Sequence, residues 1–146
     1  MMTPEERLET LIRSSWADPT GAFRPFALFD ASLDCIRVVI RDCSATEVRV
    51  NERITILEDQ YYSPARGRKY VGFTIKGAKH FCHEQGLSLD YPIRLTEILD
   101  RIVAMFPDLA VRLAVNAIAR PMVEETPGVE KIDLSGRDRS PVLAEA

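Results

Sequence analysis

In CIRVVIR, Cys35 to Arg41, apolar and cationic residues alternate with a period of two. On an extended backbone Ile36, Val38 and Ile40 share one face, while Cys35, Arg37, Val39 and Arg41 take the other. The spacing predicts a strand. Phe26 to Asp30 reads as its hairpin partner, turning through Ala31 and Ser32. Downstream, Thr46 to Val50 and Ile54 to Glu58 read as two further strands, and Lys69 to Ile75 as a fifth beyond a polar loop. Five short strands with short links imply an antiparallel sheet.

On both sides of this region the period becomes helical. Thr3-Pro4-Glu5-Glu6 has the hydroxyl, proline and glutamate of a helix start, and Leu8, Leu11, Ile12 and Trp16 follow as one stripe, so a helix is expected from Pro4 to Ser15. Lys76 to Gln85 is expected to be helical and to end at Gly86. Leu95 to Phe106 carries Leu95, Ile98, Leu99, Ile102, Val103 and Phe106 on one face. Leu109 to Ala119 is apolar around almost its whole circumference, interrupted by Arg112, Asn116 and Arg120 in one polar line. Beyond Pro127 the chain is polar and is expected to be a flexible tail. The expected fold is α+β, with an N-terminal helix, a mostly antiparallel sheet of four or five strands, and two or three C-terminal helices packed on one face. Residues 1–126 form one domain in this reading, and residues 127–146 the tail.

Composition narrows the functional classes. With 146 residues, 46% of them hydrophobic, the chain can build a core without disulfides or metals. Nineteen basic against 22 acidic residues leave a net charge of -3, so the overall balance gives no pull toward nucleic acid or anionic lipid. Three cysteines at irregular spacing are not a disulfide framework and suit reducing cytoplasm. The acidic start MMTPEERLETL does not resemble an export leader, and no apolar run is long enough to span a bilayer.

FDASLDCIRV at Phe29 to Val38 and YVGFTIKGAKHF at Tyr70 to Phe81 carry a resemblance. The chain resembles a small family of uncharacterised bacterial proteins marked by an aromatic-aspartate pair, a second aspartate four residues on, and a closing valine-glycine-isoleucine-x-isoleucine strand. Phe29, Asp30 and Asp34 match the first part; Val71, Gly72, Phe73 and Ile75 match the second. Lys76-Gly77 departs from that family's apolar-acidic pair. The resemblance implies an antiparallel sheet closed by a helix, and it brings no catalytic residues.

Several clusters are candidates for chemistry. KHFCHEQG, Lys79 to Gly86, holds two histidines and a cysteine, but a helical turn of 100° per residue sends Cys82 to one side and His80 and His83 to the other. Ligands of one metal must converge at about 2.0 to 2.3 Å, which residues on opposite faces cannot do. Neither a metal nor a cofactor is expected. Cys43, near Arg41, is a candidate reactive thiol if a base stands beside it. Asp30, Asp34, Glu47, Glu58 and Asp59 include no pair that sequence alone brings together, and turns select Asp for local bonding. Asp59 to Lys69, DQYYSPARGRK, sets Tyr61 and Tyr62 beside Arg66, Arg68 and Lys69, the residue types that stack on bases and neutralise phosphates. This loop is the leading recognition surface.

No phosphate loop, nucleotide fingerprint or nucleophile elbow occurs in the sequence. The expected function is therefore that of a non-enzymatic cytoplasmic binding or regulatory protein. It is expected to be a homodimer through the Leu109 to Ala119 helix, acting on a protein partner. The alternatives are nucleic-acid binding through Tyr61 to Lys69, and a thiol or metal enzyme using Cys43, His80 or His83.

Overall fold

The computed structural model describes residues 3–5 and 22–135, the side chain of Arg66 excepted. Two compact units divide the chain, Met1–Arg24 with Arg137–Ala146, and Pro25–Gly136. In the first, Pro4 and Glu5 are helical. The remainder of the expected helix to Ser15 lies outside the described residues.

The second unit holds β1 (Phe26–Asp30), β2 (Cys35–Val39), β3 (Ala45–Arg49), β4 (Ile54–Asp59) and β5 (Tyr70–Lys76) in one sheet of order β1-β2-β5-β4-β3. Every pairing is antiparallel. The fold is α+β, as the alternation around Ile36 and Val38 predicts. Aligned registers place Ile36, Ile75 and Ile54 in one row across the sheet and Val38, Phe73 and Ile56 in the next. These six side chains are at most 2% exposed and form the sheet's share of the core.

The helices cover that face. They are α1 (Ala78–Glu84), α2 (Leu95–Met105) and a third, longer helix made of α3 (Leu109–Leu113), a π-helical segment Ala114–Ala119 and α4 (Arg120–Glu125). From α2, Leu95, Ile98, Leu99 and Ile102 are buried in the same core, in agreement with their helical spacing. The third helix buries Val111, Ala114, Val115, Ala119, Met122 and Val123. It runs past the expected end at Ala119, through Pro121. A proline inside a helix removes one backbone bond and its ring presses on the carbonyl four residues back, here that of Ala117. The π segment lies where that clash would fall.

The stretch from Thr126 to Ser135 is not a tail. Lys131–Ile132 forms β7, antiparallel to β6 (Ile93–Arg94), and Val129, Ile132 and Leu134 are buried in the core. The domain boundary expected at residue 126 therefore moves to at least Ser135. Three apolar residues at alternating or near-alternating positions supply the reason, though Gly128, Glu130, Lys131 and Asp133 surround them. Residues 136–146 lie outside the described residues.

Candidate recognition surfaces

The loop between β4 and β5 is built on Asp59. Its carboxylate accepts the Tyr61 backbone N–H at 3.0 Å and is paired with the Arg41 guanidinium. Arg41 also donates to the Arg68 carbonyl at 3.3 Å, and the Asp59 N–H donates to the Lys69 carbonyl at 2.8 Å. Both ends of the loop are thus fixed to one buried carboxylate. Between them Pro64–Arg66 makes a single 3₁₀ turn closed by Gly67 at φ 91°. Tyr61 and Tyr62 project outward, 63% and 41% exposed.

The loop's cations are less free than the sequence suggests. Arg68 forms an ion pair with Glu125 at 2.7 Å, and the Lys69 ammonium sits 5.6 Å from the Tyr70 ring centre. The Arg68 pair is exposed on both sides, where such contacts contribute about 0–1 kcal/mol. It can open, but Glu125 places a negative charge at the loop's border.

The histidine helix is divided in the manner its periodicity predicts. Ala78, Phe81 and Cys82 are buried, while His80 and His83 are exposed and His80 contacts Glu84 at 2.7 Å. Burial pushes the Cys82 thiol up to about 11. Among the described residues no three His, Cys, Asp or Glu side chains converge as a metal site would require. Cys43 follows β2 at the Val71 end of β5, whereas α1 leaves β5 at Lys76. The length of β5 separates Cys43 from His80 and His83, about 20 Å. The structure does not bring the thiol and the imidazoles together.

The aspartates serve the backbone. Asp30 accepts from the Ser32 hydroxyl at 2.6 Å and from the Ser32 and Leu33 N–H groups, and these bonds, the hydroxyl's first, hold its carboxyl below the usual range. Asp34 reaches from the β1–β2 turn to the start of α1. Its carboxylate oxygens accept the N–H groups of Lys79 at 2.6 Å and His80 at 3.2 Å, and its carbonyl accepts that of Ala78 at 3.1 Å. Three orphan donors of the helix start are satisfied from 44 or more residues away. Gly77, at φ 61°, lets the chain turn there, and a Cβ on it would lie 2.2 Å from Arg53 Nη1.

Three further surfaces stand out, the first on the Leu109 to Ala119 helix that the sequence singles out and the other two not visible there. Leu109 and Leu113, one turn apart, are 63% and 55% exposed and make a short apolar stripe on α3, and Met105, at the end of α2, is 50% exposed. Strand β3 is exposed along its whole length at the edge of the sheet. An open groove of about 320 Å³ runs beside β6, between Leu87, Tyr91, Glu97 and Lys131. Leu109 and Leu113 could have been paired from their spacing of four, whereas Met105 belongs to the helix that stops before Pro107. The groove depends on Lys131 in β7, so no reading that treats residue 131 as tail could contain it.

No helix among the described residues is long and apolar enough to cross a membrane. Compared with protein-family models, with curated proteins and with solved structures, the chain finds no match.

Proposed function

We propose that this chain is a non-enzymatic binding protein that acts as a homodimer on a protein partner, in a reducing compartment that its three free thiols suit. The observation that carries the proposal is the stripe of Leu109 and Leu113. Much of the helix expected to carry self-association is satisfied inside its own subunit, through Val111, Ala114, Val115 and Ala119. What remains outside is a narrow apolar strip. A monomer's largest patch is about 300–600 Å², and a stable dimer face needs about 800 Å² per partner. A strip of two exposed side chains falls in the first class and suits a transient partner's apolar helix face. Self-association then falls to another surface, argued in the next subsection.

The test is recovery of the tagged chain from its host after nuclease treatment, followed by reconstitution of any stoichiometric protein from purified components. Leu109→Glu with Leu113→Glu should abolish binding, and Arg112→Ala should leave it within a few fold. Binding that survives both charges overturns the assignment of the stripe.

The exposed tyrosines favour one second reading, nucleic-acid binding through the loop. It requires an affinity that falls steeply with salt and is lost when Arg66, Arg68 and Lys69 are replaced together by alanine. Equal binding by that triple variant removes it.

A further inference from the structure

We propose that β3 is the self-association surface, and that two copies join edge to edge around a two-fold axis at Val48, merging two five-stranded sheets into one of ten strands. The inference rests on the homodimer reading above and assigns it a surface. A free sheet edge is a template for another strand, and proteins that keep such an edge single blunt it with charged side chains, proline, a bulge or a covering element. Ala45–Arg49 has no proline, and all five residues are exposed in the sequence Ala-Thr-Glu-Val-Arg; its two charges, Glu47 and Arg49, are of opposite sign and so can pair across a two-fold axis instead of repelling a second copy. Along the opposite edge, β1, four of the five residues are half-buried.

The backbone determines which groups are available. The Val50 N–H donates to the Ile54 carbonyl and the Gln60 N–H to the Ser44 carbonyl, so the even-numbered residues of this stretch bond inward to β4. With Arg49 opposite Thr55 and Glu47 opposite Leu57, the N–H and C=O groups of Ala45, Glu47 and Arg49 point to the open side. A second antiparallel β3 must bond through those residues.

Four two-fold registers, with axes at Thr46, Glu47, Val48 and Arg49, satisfy that constraint, and charge separates them. An axis at Thr46 sets Glu47 against Ala45 of the second copy and forms no charge pair. An axis at Glu47 sets Glu47 against Glu47 of the second copy. An axis at Arg49 sets two arginines together. The axis at Val48 pairs Glu47 with Arg49 of the second copy and Arg49 with its Glu47, two opposite-charge pairs produced by one symmetry operation. It also brings the two Val48 side chains together, each 41% exposed in the isolated chain, and sets Thr46 against the second copy's Val50. Neither Glu47 nor Arg49 forms an ion pair among the described residues; Arg49 has only a 3.4 Å contact from Nε to the Asn51 carbonyl. The edge is complementary to itself in this one register.

The experiment is light scattering on size-exclusion fractions over a concentration series, for the full chain and three variants. The parent should run at twice its 16.5 kDa mass. Glu47→Arg alone, or Arg49→Glu alone, converts both symmetric pairs to like charges and should weaken the dimer about tenfold or more. The double variant Glu47→Arg with Arg49→Glu exchanges the signs and should recover parental affinity. In the parent dimer, the outward amides of Glu47 and Arg49 should exchange hydrogen more slowly as concentration rises. Single variants that dimerise like the parent overturn the edge assignment, as does a double variant no better than the singles. A dimer indifferent to these changes but dissociated by Leu113→Glu returns self-association to the helix. A monomeric parent overturns the homodimer reading together with the edge.

Discussion

Asp34 shows how one residue ties the sheet to the helix layer. It sits at φ 48°, a conformation Asp tolerates better than most residues, and there its carboxylate caps α1 across the fold. Asp34→Ala should cost about 1–3 kcal/mol in urea unfolding, from the lost cap and the strained backbone together, and Asp34→Asn clearly less. Thr55 and Thr74 make the opposite case. They face each other across β4 and β5, are 1% and 3% exposed, and their hydroxyls have no hydrogen-bond partner among the described residues. A buried unsatisfied hydroxyl costs about 1–3 kcal/mol, so the isosteric Thr55→Val should raise stability by about 1 kcal/mol, whereas most buried substitutions lower it. At Cys82 the raised thiol pKa means that folding favours the protonated form. The associated stability is complete below the unfolded value of 9.0 and is lost as pH rises toward about 11. Alkaline unfolding of the parent should therefore be steeper between pH 9 and 11 than that of Cys82→Ala, a difference readable by circular dichroism.

Among the elements, the third helix owes its form to the relation between its π segment and the core. In an uninterrupted α-helix the six buried residues from Val111 to Val123 would spread over roughly 180°, and the wider π turn gathers them into roughly 100°. The segment thus holds about one residue more than an α-helix of the same phase needs. Deleting exposed Ala117 together with Pro121→Ala should give a continuous α-helix with the same buried face, within about 1 kcal/mol of the parent. Deleting exposed Asp100 from α2 has no such slack, turns Ile102 out of the core and should unfold the chain. Equal loss of thermal stability in the two variants would refute the phase argument. This also explains what periodicity could reveal. Ile36 and Val38, or Ile98 and Ile102, repeat at the period of their own element, and so their strands and helix were legible. Ala114 and Val123, nine residues apart, would fall on opposite sides of a regular α-helix and share a face only through the irregular turn, so no fixed period connects them. The sheet order was hidden for a related reason, since β5 reaches its central place by pairing with β2 and β4, contacts that leave no local trace. Tyr61 and Tyr62 were legible as exposed loop residues, but the Arg68–Glu125 pair, 57 residues apart in sequence, was not.

On the scale of the whole molecule, stability depends on a segment whose composition suggests none. Between Thr126 and Ser135, Gly128, Glu130, Lys131 and Asp133 dilute the apolar content below any hydropathy signal. Yet Val129 and Leu134 are fully buried and Ile132 is 5% exposed, while the Glu130 carbonyl accepts the Leu95 N–H at 2.9 Å where α2 begins. Burying three such side chains contributes roughly 5–8 kcal/mol, against a net stability of about 5–15 kcal/mol for a domain. The segment's contribution is therefore comparable to the whole margin that keeps the chain folded. Its loss would also leave β6 without a partner and the start of α2 without an acceptor. A chain ending at Thr126 should accordingly lose its cooperative thermal transition and bind a hydrophobic dye at 25 °C, whereas one ending at Ser135 should keep that transition. Within the full chain, Leu134→Ala should cost about 2–4 kcal/mol by the cavity it leaves, while Lys131→Ala, at an exposed position of the same segment, should stay within about 0.5 kcal/mol of the parent. If the chain ending at Thr126 melts like the parent, the core is closed without this segment and the domain ends at residue 126 after all.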